Sequence, residues 1–437
     1  MSIVILGAGP GGLSAAYQLA RAGKKVVVLE KDSEPGGALK SLRFRNFIVD
    51  YGHKELYARI PEVFRFWDDL LGDQFLPVCN RVGVLYQREI FERDPKYRGF
   101  RRGMPWKLFV RCVSQAAWGR VSRIRKPIQS RQDWNIARKG SGFSEIFNQG
   151  YHQKVTGVDW SDAYLPSTSS DPSQNAERRH PLTGTSLIAD KLISGIQEAG
   201  GQILLGTTAL SLSNTDGKIT NILAQKHNGA LFHLQPETVI AGISLELLSS
   251  TLGLQAKPNK VEASFGRKVV LVHVFLRCPP RMPHLRLEVS CPESQIGRIT
   301  NYGAYDNDMV PIGLGALCIE YFTHGHATIK SRANLQKKTI RELVDLDIID
   351  EANVIGVHIS STSHSDAATS WEDYSRDLTR MQMYDFACSF SNLYPIQRSG
   401  IDRSTHAGIL AASAILTGDR QLFLQKTKPD FPTPWLS

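Results

Sequence analysis

Three glycines and one acid carry the clearest chemistry in this chain. Gly7, Gly9 and Gly12 follow an apolar run over residues 3–6 and precede a stretch with helical periodicity over 13–22. A second apolar run over 26–29 ends in Glu30. That order predicts a strand, a glycine turn, a helix and a strand, with the turn cradling a dinucleotide pyrophosphate. Gly7 makes the tight turn, Gly9 lets backbone approach the phosphates, and Gly12 lets helix and strand pack closely. Pro10 and Gly11 complete the turn, and the helix start offers unpaired N–H groups to the anion. Glu30, with Lys31 behind it, sits where an acid accepts from both ribose hydroxyls. An acid there repels a 2′-phosphate and so argues against NADP.

The residues after Glu30 carry a resemblance. A glycine pair, Gly36-Gly37, then Ala38, Leu39 and Lys40 resemble the FAD-binding amine oxidase superfamily. That group includes protoporphyrinogen oxidases, phytoene-desaturase-like enzymes and UDP-galactopyranose mutases. There the pair passes close to the cofactor, usually with Arg or Lys directly after it; here Ala38 intervenes before Lys40. The stretch Gly150-Tyr151, Lys154 and Gly157 is similar to a segment of the same family. So is the run from Pro181 and Gly184 through Gly200-Gly201 to a strand over 202–212, on which Ala209 and Leu210 would meet FAD. The C-terminal stretch Gln397-Arg398-Ser-Gly400-Ile-Asp402-Arg403-Ser-Thr-His406-Ala407 resembles the closing FAD motif. The resemblance implies FAD as cofactor, held at Gly7, Gly9, Pro10, Gly11, Gly12, Glu30, Lys31, Gly37, Ala38, Leu39, Gly52, His53, Ala209, Arg398, Gly400, Asp402, His406 and Ala407. The last helix would point its positive end at the flavin and stabilise the reduced ring.

With flavin supplying the hard chemistry, three readings stay open. The first is an oxidase, dehydrogenase or desaturase that passes a hydride from an organic substrate to flavin N5. The second is a non-redox isomerase working on reduced FAD, as in UDP-galactopyranose mutase, which the segment Asp50-Tyr51-Gly52-His53 resembles. The third is a membrane- or RNA-associated flavoprotein scaffold, which would have no use for a helix dipole under the ring. His53 is the polar side chain expected beside the flavin, able to polarise it or take a proton. His406 is expected at the start of the last helix, while Arg298 and Tyr302 are the candidates for gripping an anionic substrate. Glu320, an acid in an apolar strand, marks either a pocket or an internal ion pair. No cluster with metal-ligand spacing stands out.

The elements that must position these residues follow from length and patterning. With 437 residues the chain can hold two or three sizeable cores. The expected fold is α/β: a Rossmann-like FAD-binding domain, three-layered around a parallel sheet, with an inserted α+β substrate domain on a mixed sheet. Residues 1–80, 181–260 and 385–437 are assigned to the first, and 81–180 and 261–384 to the second. A helix is expected over 61–71, strands over 47–49, 218–224, 297–302 and 314–322, a helix over 331–346, and a loop over 167–179. No run approaches the ~18 apolar residues that span a bilayer, and residues 1–2 lead straight into the first strand rather than a signal peptide. Six scattered cysteines without a CxxC pair read as reduced thiols of a cytoplasmic protein. The formal charge is +10, and residues 96–126 alone hold ten Lys or Arg and no Asp or Glu. That segment reads as a solvated helical surface, as a basic amphipathic helix touching the inner membrane surface, or as a wall attracting an anionic substrate. The partner expected is a small molecule, anionic or lipophilic. Charge alone does not make a nucleic-acid site, and no such motif accompanies it.

Overall fold

A computed structural model describes residues 2–54, 56–78, 81–92, 104–122, 130–157, 159, 161, 177–254, 268–305, 307–323, 331–363, 371–396 and 400–427. Its first layer is a five-stranded parallel sheet. In spatial order the strands are Gln202–Leu204, Val26–Leu29, Ser2–Leu6, Pro236–Ala241 and Leu393–Pro395. The apolar runs are continuous because both faces of this parallel sheet are covered. The helices Pro10–Arg21, Pro61–Leu71, Ser186–Glu198 and Ile401–Thr417 bury Leu13, Leu19, Trp67, Leu192, Ala407 and Ala411 on one side. The three-stranded meander Thr207–Thr215, Lys218–Lys226, Leu231–Leu234 and the helix Trp371–Ser389 supply the other.

A second, seven-stranded sheet is mixed. It runs Val354–Ser363, Lys268–Leu276, Gly315–Thr323, Arg298–Asn301, Arg286–Val289, Val82–Tyr86, Glu89–Glu92. Only the pair Arg286–Val289 with Val82–Tyr86 is parallel. Lys268–Leu276 is buried on both sides, which explains its unbroken apolar run. Val270, Val272 and Val274 pack towards Leu343 of the helix Arg332–Asp345. Leu271 and Phe275 pack on Phe47 and Val49 of the hairpin Ser41–Phe44/Phe47–Asp50.

Two expectations need correcting. The single strand expected over 202–212 is two strands: Gly206, at φ +56°, breaks it, so the first half joins the parallel sheet and the second begins the meander. The loop expected over 167–179 ends in a strand, Arg178–Pro181, that pairs with Leu56–Tyr57 and Phe75–Pro77. Its polar composition hid it, because a short strand sandwiched between two others needs no apolar face. Residues 167–176 of that loop lie outside the described residues, as does Asn80.

Asp50, at the end of its hairpin strand, ties the two sheets together. Its Oδ1 accepts from Ser41 Oγ (2.7 Å), Thr185 N (2.9 Å) and Thr185 Oγ1 (2.9 Å), and its Oδ2 meets His180 Nε2 at 2.9 Å. Its main-chain oxygen faces the other way and accepts from His273 Nε2 at 3.0 Å and from the Tyr302 hydroxyl. Asp50 is fully buried and His180 nearly so. Burial alone would raise the Asp50 carboxyl, but the His180, Ser41 and Thr185 hydrogen bonds outweigh it and hold it below its ordinary value of 3.8. Burial pulls His273 down to about 4, so it is neutral near pH 7 and donates Nε2–H to the carbonyl.

A carboxyl with a lowered folded-state value contributes stability that is complete above the unfolded value and lost as pH falls through the folded one. The wild-type chain should therefore lose stability on acidification from about pH 4 downward. Asp50→Asn should lower stability at pH 7 by about 2–5 kcal/mol and flatten that acid dependence. Denaturant melts of both proteins between pH 3 and 7 test this; parallel curves would remove Asp50 from the role.

Candidate functional site

The first strand ends at the point where its two neighbours connect in opposite directions, the place where open α/β sheets bind ligands. Gly7 turns at φ +94°, with Gly242 packed against it. A side chain at Gly12 would collide with Gly7 O at 2.0 Å, so this glycine does let helix and strand close together. Gly9 caps the helix without any side-chain hydrogen bond, Pro10 follows at the first position, and no acid lies in the first turn. The helix start thus keeps open N–H groups and its partial positive charge. A Cβ at Gly9 would meet no atom within 4 Å, whereas one at Gly37 would meet Gly9 Cα at 3.0 Å. Gly36 N–H donates to Ala8 O at 2.7 Å. The two glycine segments therefore form one cradle shaped for backbone to touch a pyrophosphate.

Glu30 is buried beneath this cradle. Its Oε2 accepts from Ala8 N (2.7 Å) and its Oε1 from Asp32 N (3.0 Å). Each carboxylate oxygen keeps a second acceptor position, enough for a ribose diol. Lys31 is exposed, and Lys40 reaches back to Asp32 at 2.7 Å, so the cation displaced by Ala38 braces the ribose corner. Gly37 and Ala38 open to the surface in a short 3₁₀ turn. Leu39 does not: its side chain is in the core and its carbonyl accepts from Thr185 Oγ1. Ala209 lies nearly buried on the meander strand that Thr207 N, bonded to Glu30 O at 2.8 Å, sets beside the acid.

The closing helix, Ile401–Thr417, comes in against the first. Gly400 caps it at φ +88° with no side-chain bond. Side chains at Gly11 or Gly408 would strike Ser404 O at 2.6 Å or Gly11 O at 2.1 Å. Gly11 is thus a helix-contact glycine, and Ala407 packs in the core beside it. Asp402, in the first turn, accepts from Arg59 Nε at 3.0 Å and Nη2 at 2.6 Å. His406 is in the second turn, not at the open N–H groups as expected; the helix begins at Ile401, and the field of a helix end fades within a turn. Arg398 lies outside the described residues.

The segment Gly52–Lys54 is held from the side of the mixed sheet. His53 N–H donates to Glu320 Oε1 at 2.9 Å; Glu320 Oε2 meets Arg298 Nη1 at 3.3 Å; and Arg298 Nε and Nη2 donate to Tyr151 OH at 3.0 and 2.5 Å. Burial pulls the Arg298 guanidinium down, but Glu320 and Tyr151 outweigh it and raise it above its ordinary value. Arg298 is therefore not poised for a substrate anion as expected; its charge is spent on Glu320. Glu320 marks an ion pair rather than a substrate contact. Tyr302, only 1% exposed, places its hydroxyl between Asp50 O and Gly52 O, which share its one proton, and supports the turn from beneath. Burial raises its phenol well above the ordinary value.

Tyr305 went unnoticed in the sequence. Its hydroxyl lies 3.0 Å from Lys54 O and 3.2 Å from His53 Nδ1. A carbonyl only accepts, so the tyrosyl proton goes to Lys54 O and the phenolic oxygen accepts from His53 Nδ1–H. The Tyr305 ring in turn packs 4.4 Å from that of His180. The Gly150 segment also becomes intelligible. Gly150 abuts Ser290 O, Tyr151 meets Arg298, and Lys154 Nζ donates to Val289 O, Cys291 O and Ile296 O at 2.7–3.0 Å. All three dock the helix Gly150–Thr156 onto the turn behind Arg298.

Comparison with known proteins agrees with this geometry. The model of the NAD(P)-binding Rossmann-like domain matches residues 5–70. The all-trans-zeta-carotene desaturase of Myxococcus xanthus is 43% identical over 68 residues, 14% of this chain and 13% of that protein. Protoporphyrinogen oxidase 2 of Arabidopsis thaliana is 40% identical over 68 residues, 16% of this chain and 13% of that protein. These matches thus span about an eighth of each curated relative. A reduced UDP-galactopyranose mutase superposes with a TM-score of 0.79 at 17% identity, covering 98% of this chain and 96% of that one. An oxidoreductase from Methanosarcina mazei gives 0.61 at 14% identity, covering 95% and 100%. The chain is an α/β protein with a Rossmann-like nucleotide-binding domain, in the fold that these structures share from end to end.

Gly9→Val should leave the fold intact, because an added Cβ meets no protein atom within 4 Å, yet strip the dinucleotide. Purified variant protein should lack flavin absorbance and melt at the temperature of flavin-stripped wild type. A yellow variant would disprove the assignment of the cradle.

Proposed function

We propose that this protein is an FAD-dependent oxidoreductase that moves a hydride from an organic substrate to flavin N5. The observation that carries the reading is the joined cradle of Gly9 and Gly37 over Glu30, with a second uncapped helix start at Gly400. The donor set fits FAD: open N–H groups for the pyrophosphate, an acid for the ribose, and the turn Gly52–Lys54 between the two sheets for the ring. The names of the relatives, desaturases and a protoporphyrinogen oxidase, support redox turnover. When bound, the flavin supplies the two-electron acceptor.

The chain's own residues then have separable tasks. The Tyr151–Arg298–Glu320 relay fixes the main chain of His53. Tyr305 holds the His53 imidazole through Nδ1, orienting the side chain proposed to exchange a proton with substrate. The apolar wall of Leu271, Phe275 and Tyr302 behind the turn excludes water from beneath it. The substrate class that fits is a small molecule, lipophilic or anionic.

A second reading has its own support: the whole-chain likeness to a UDP-galactopyranose mutase. Anaerobic titration of the yellow protein with porphyrinogens, polyenes, amines and nucleotide sugars separates the two. Bleaching of the oxidised band by one compound is the expected result. No bleaching, with isomerisation of a nucleotide sugar by the dithionite-reduced protein, would favour the mutase reading instead.

Tyr305→Phe should slow flavin reduction by about tenfold without loss of flavin or of melting temperature. In a His53→Ala background it should have no further effect, because the two act as one unit. Equal slowing in both backgrounds would dissociate Tyr305 from His53.

A further inference from the structure

The helix Trp106–Ser122 is apolar on the side it buries and again on the side it shows to water. Inward, Leu108, Phe109, Cys112 and Ala116 pack on Val84, Phe91, Phe143 and Ile146. Outward, Trp106 is 71% exposed, Val110 54%, Val113 45% and Trp118 74%. Among the described residues no other helix or strand exposes more than one large hydrophobic side chain. The spacing is regular. Trp106, Val110, Val113 and Ala117 follow the i, i+4, i+7, i+11 rule of a single helical stripe. Lys107, Arg111, Ser114 and Trp118 form the stripe beside it, also exposed. The flanking sequence continues the charge: residues 96–126 contain Lys96, Arg98, Arg101, Arg102, Arg120 and further cations, with no acid to offset them.

Leaving two tryptophans in water forfeits a large burial term, since each ring can bury about 150–250 Å². A bilayer interface recovers it: indole rings favour the headgroup level, aliphatic side chains enter the acyl boundary, and cations meet anionic headgroups. A nucleic acid would use the cations and stack on the rings, but gains nothing from Val110 and Val113 aligned with them. The helix of 17 residues is about 26 Å long. Among the described residues no helix is long and apolar enough to cross a membrane, so this one would lie in the plane.

We propose that the helix Trp106–Ser122 is a docking surface for an anionic lipid bilayer, with Trp106, Val110, Val113 and Trp118 entering the interface and Lys107 and Arg111 flanked by headgroups. It is independent of which reaction the flavin site performs. The test is co-sedimentation of the purified full-length chain with phosphatidylcholine vesicles, pure or containing one part in three of phosphatidylglycerol, as an order-of-magnitude loading. Binding to the anionic vesicles, weakened by salt and absent from the neutral ones, is expected. The pairs Trp106→Ser with Trp118→Ser, and Lys107→Glu with Arg111→Glu, should each lower partitioning by at least about tenfold. Both should keep full flavin absorbance, which shows that they fold. Failure of the wild type to bind, or equal binding by all three proteins, would overturn the proposal. So would a dimer that the tryptophan pair dissociates, or oligonucleotide binding in place of vesicle binding.

Discussion

A single buried carboxylate organises the region around the candidate site. The Asp50 carboxylate accepts four hydrogen bonds, from Ser41, His180 and Thr185, and its main-chain oxygen accepts from His273 of the mixed sheet and from Tyr302 just beyond it. A buried charge is tolerable only when it is paired and its lone pairs are filled. Asp50 meets that condition only if the hairpin, the helix start at Thr185, the strand of His180 and the sheet carrying His273 are all in place. The requirement is mutual, so the turn that follows, Gly52–Lys54, has one position relative to both sheets.

That constraint explains why so many polar residues near the turn are structural. Tyr302 and His273 hold carbonyls, Arg298 holds Glu320, and Glu320 holds a main-chain N–H. The His53 main chain is held by Glu320, and its ring meets the Tyr305 hydroxyl, which also donates to Lys54 O. Catalytic groups are useful when a rigid second layer fixes them, and here that layer is larger than the set it serves.

The Rossmann-like unit was legible in the sequence because its signals are local. Gly7, Gly9, Gly12 and Glu30 lie within one strand–helix–strand unit, and turn geometry dictates which residue type each position accepts. The helix Pro61–Leu71 and the strand Ser2–Leu6 were legible for the same reason, through periodicity and a proline at the helix start. The hub was not legible. His180 and Thr185 stand 130 and 135 residues from Asp50, and Tyr302 stands 250 from Gly52. Nothing in the local pattern of a histidine or tyrosine says which distant carbonyl it will meet.

The sequence by itself determined that a Rossmann-like unit opens the chain and which residue types its glycine turn accepts. Each follows from steric rules acting over a few residues. Only the tertiary structure decided the roles of the charged and hydroxyl groups. It turned Arg298 and Tyr302 from substrate ligands into supports, moved His406 off the helix start, and brought Tyr151 and Tyr305 to the centre. Burial and hydrogen-bond pairing set those roles, and both are properties of what surrounds a side chain after folding rather than of the side chain itself.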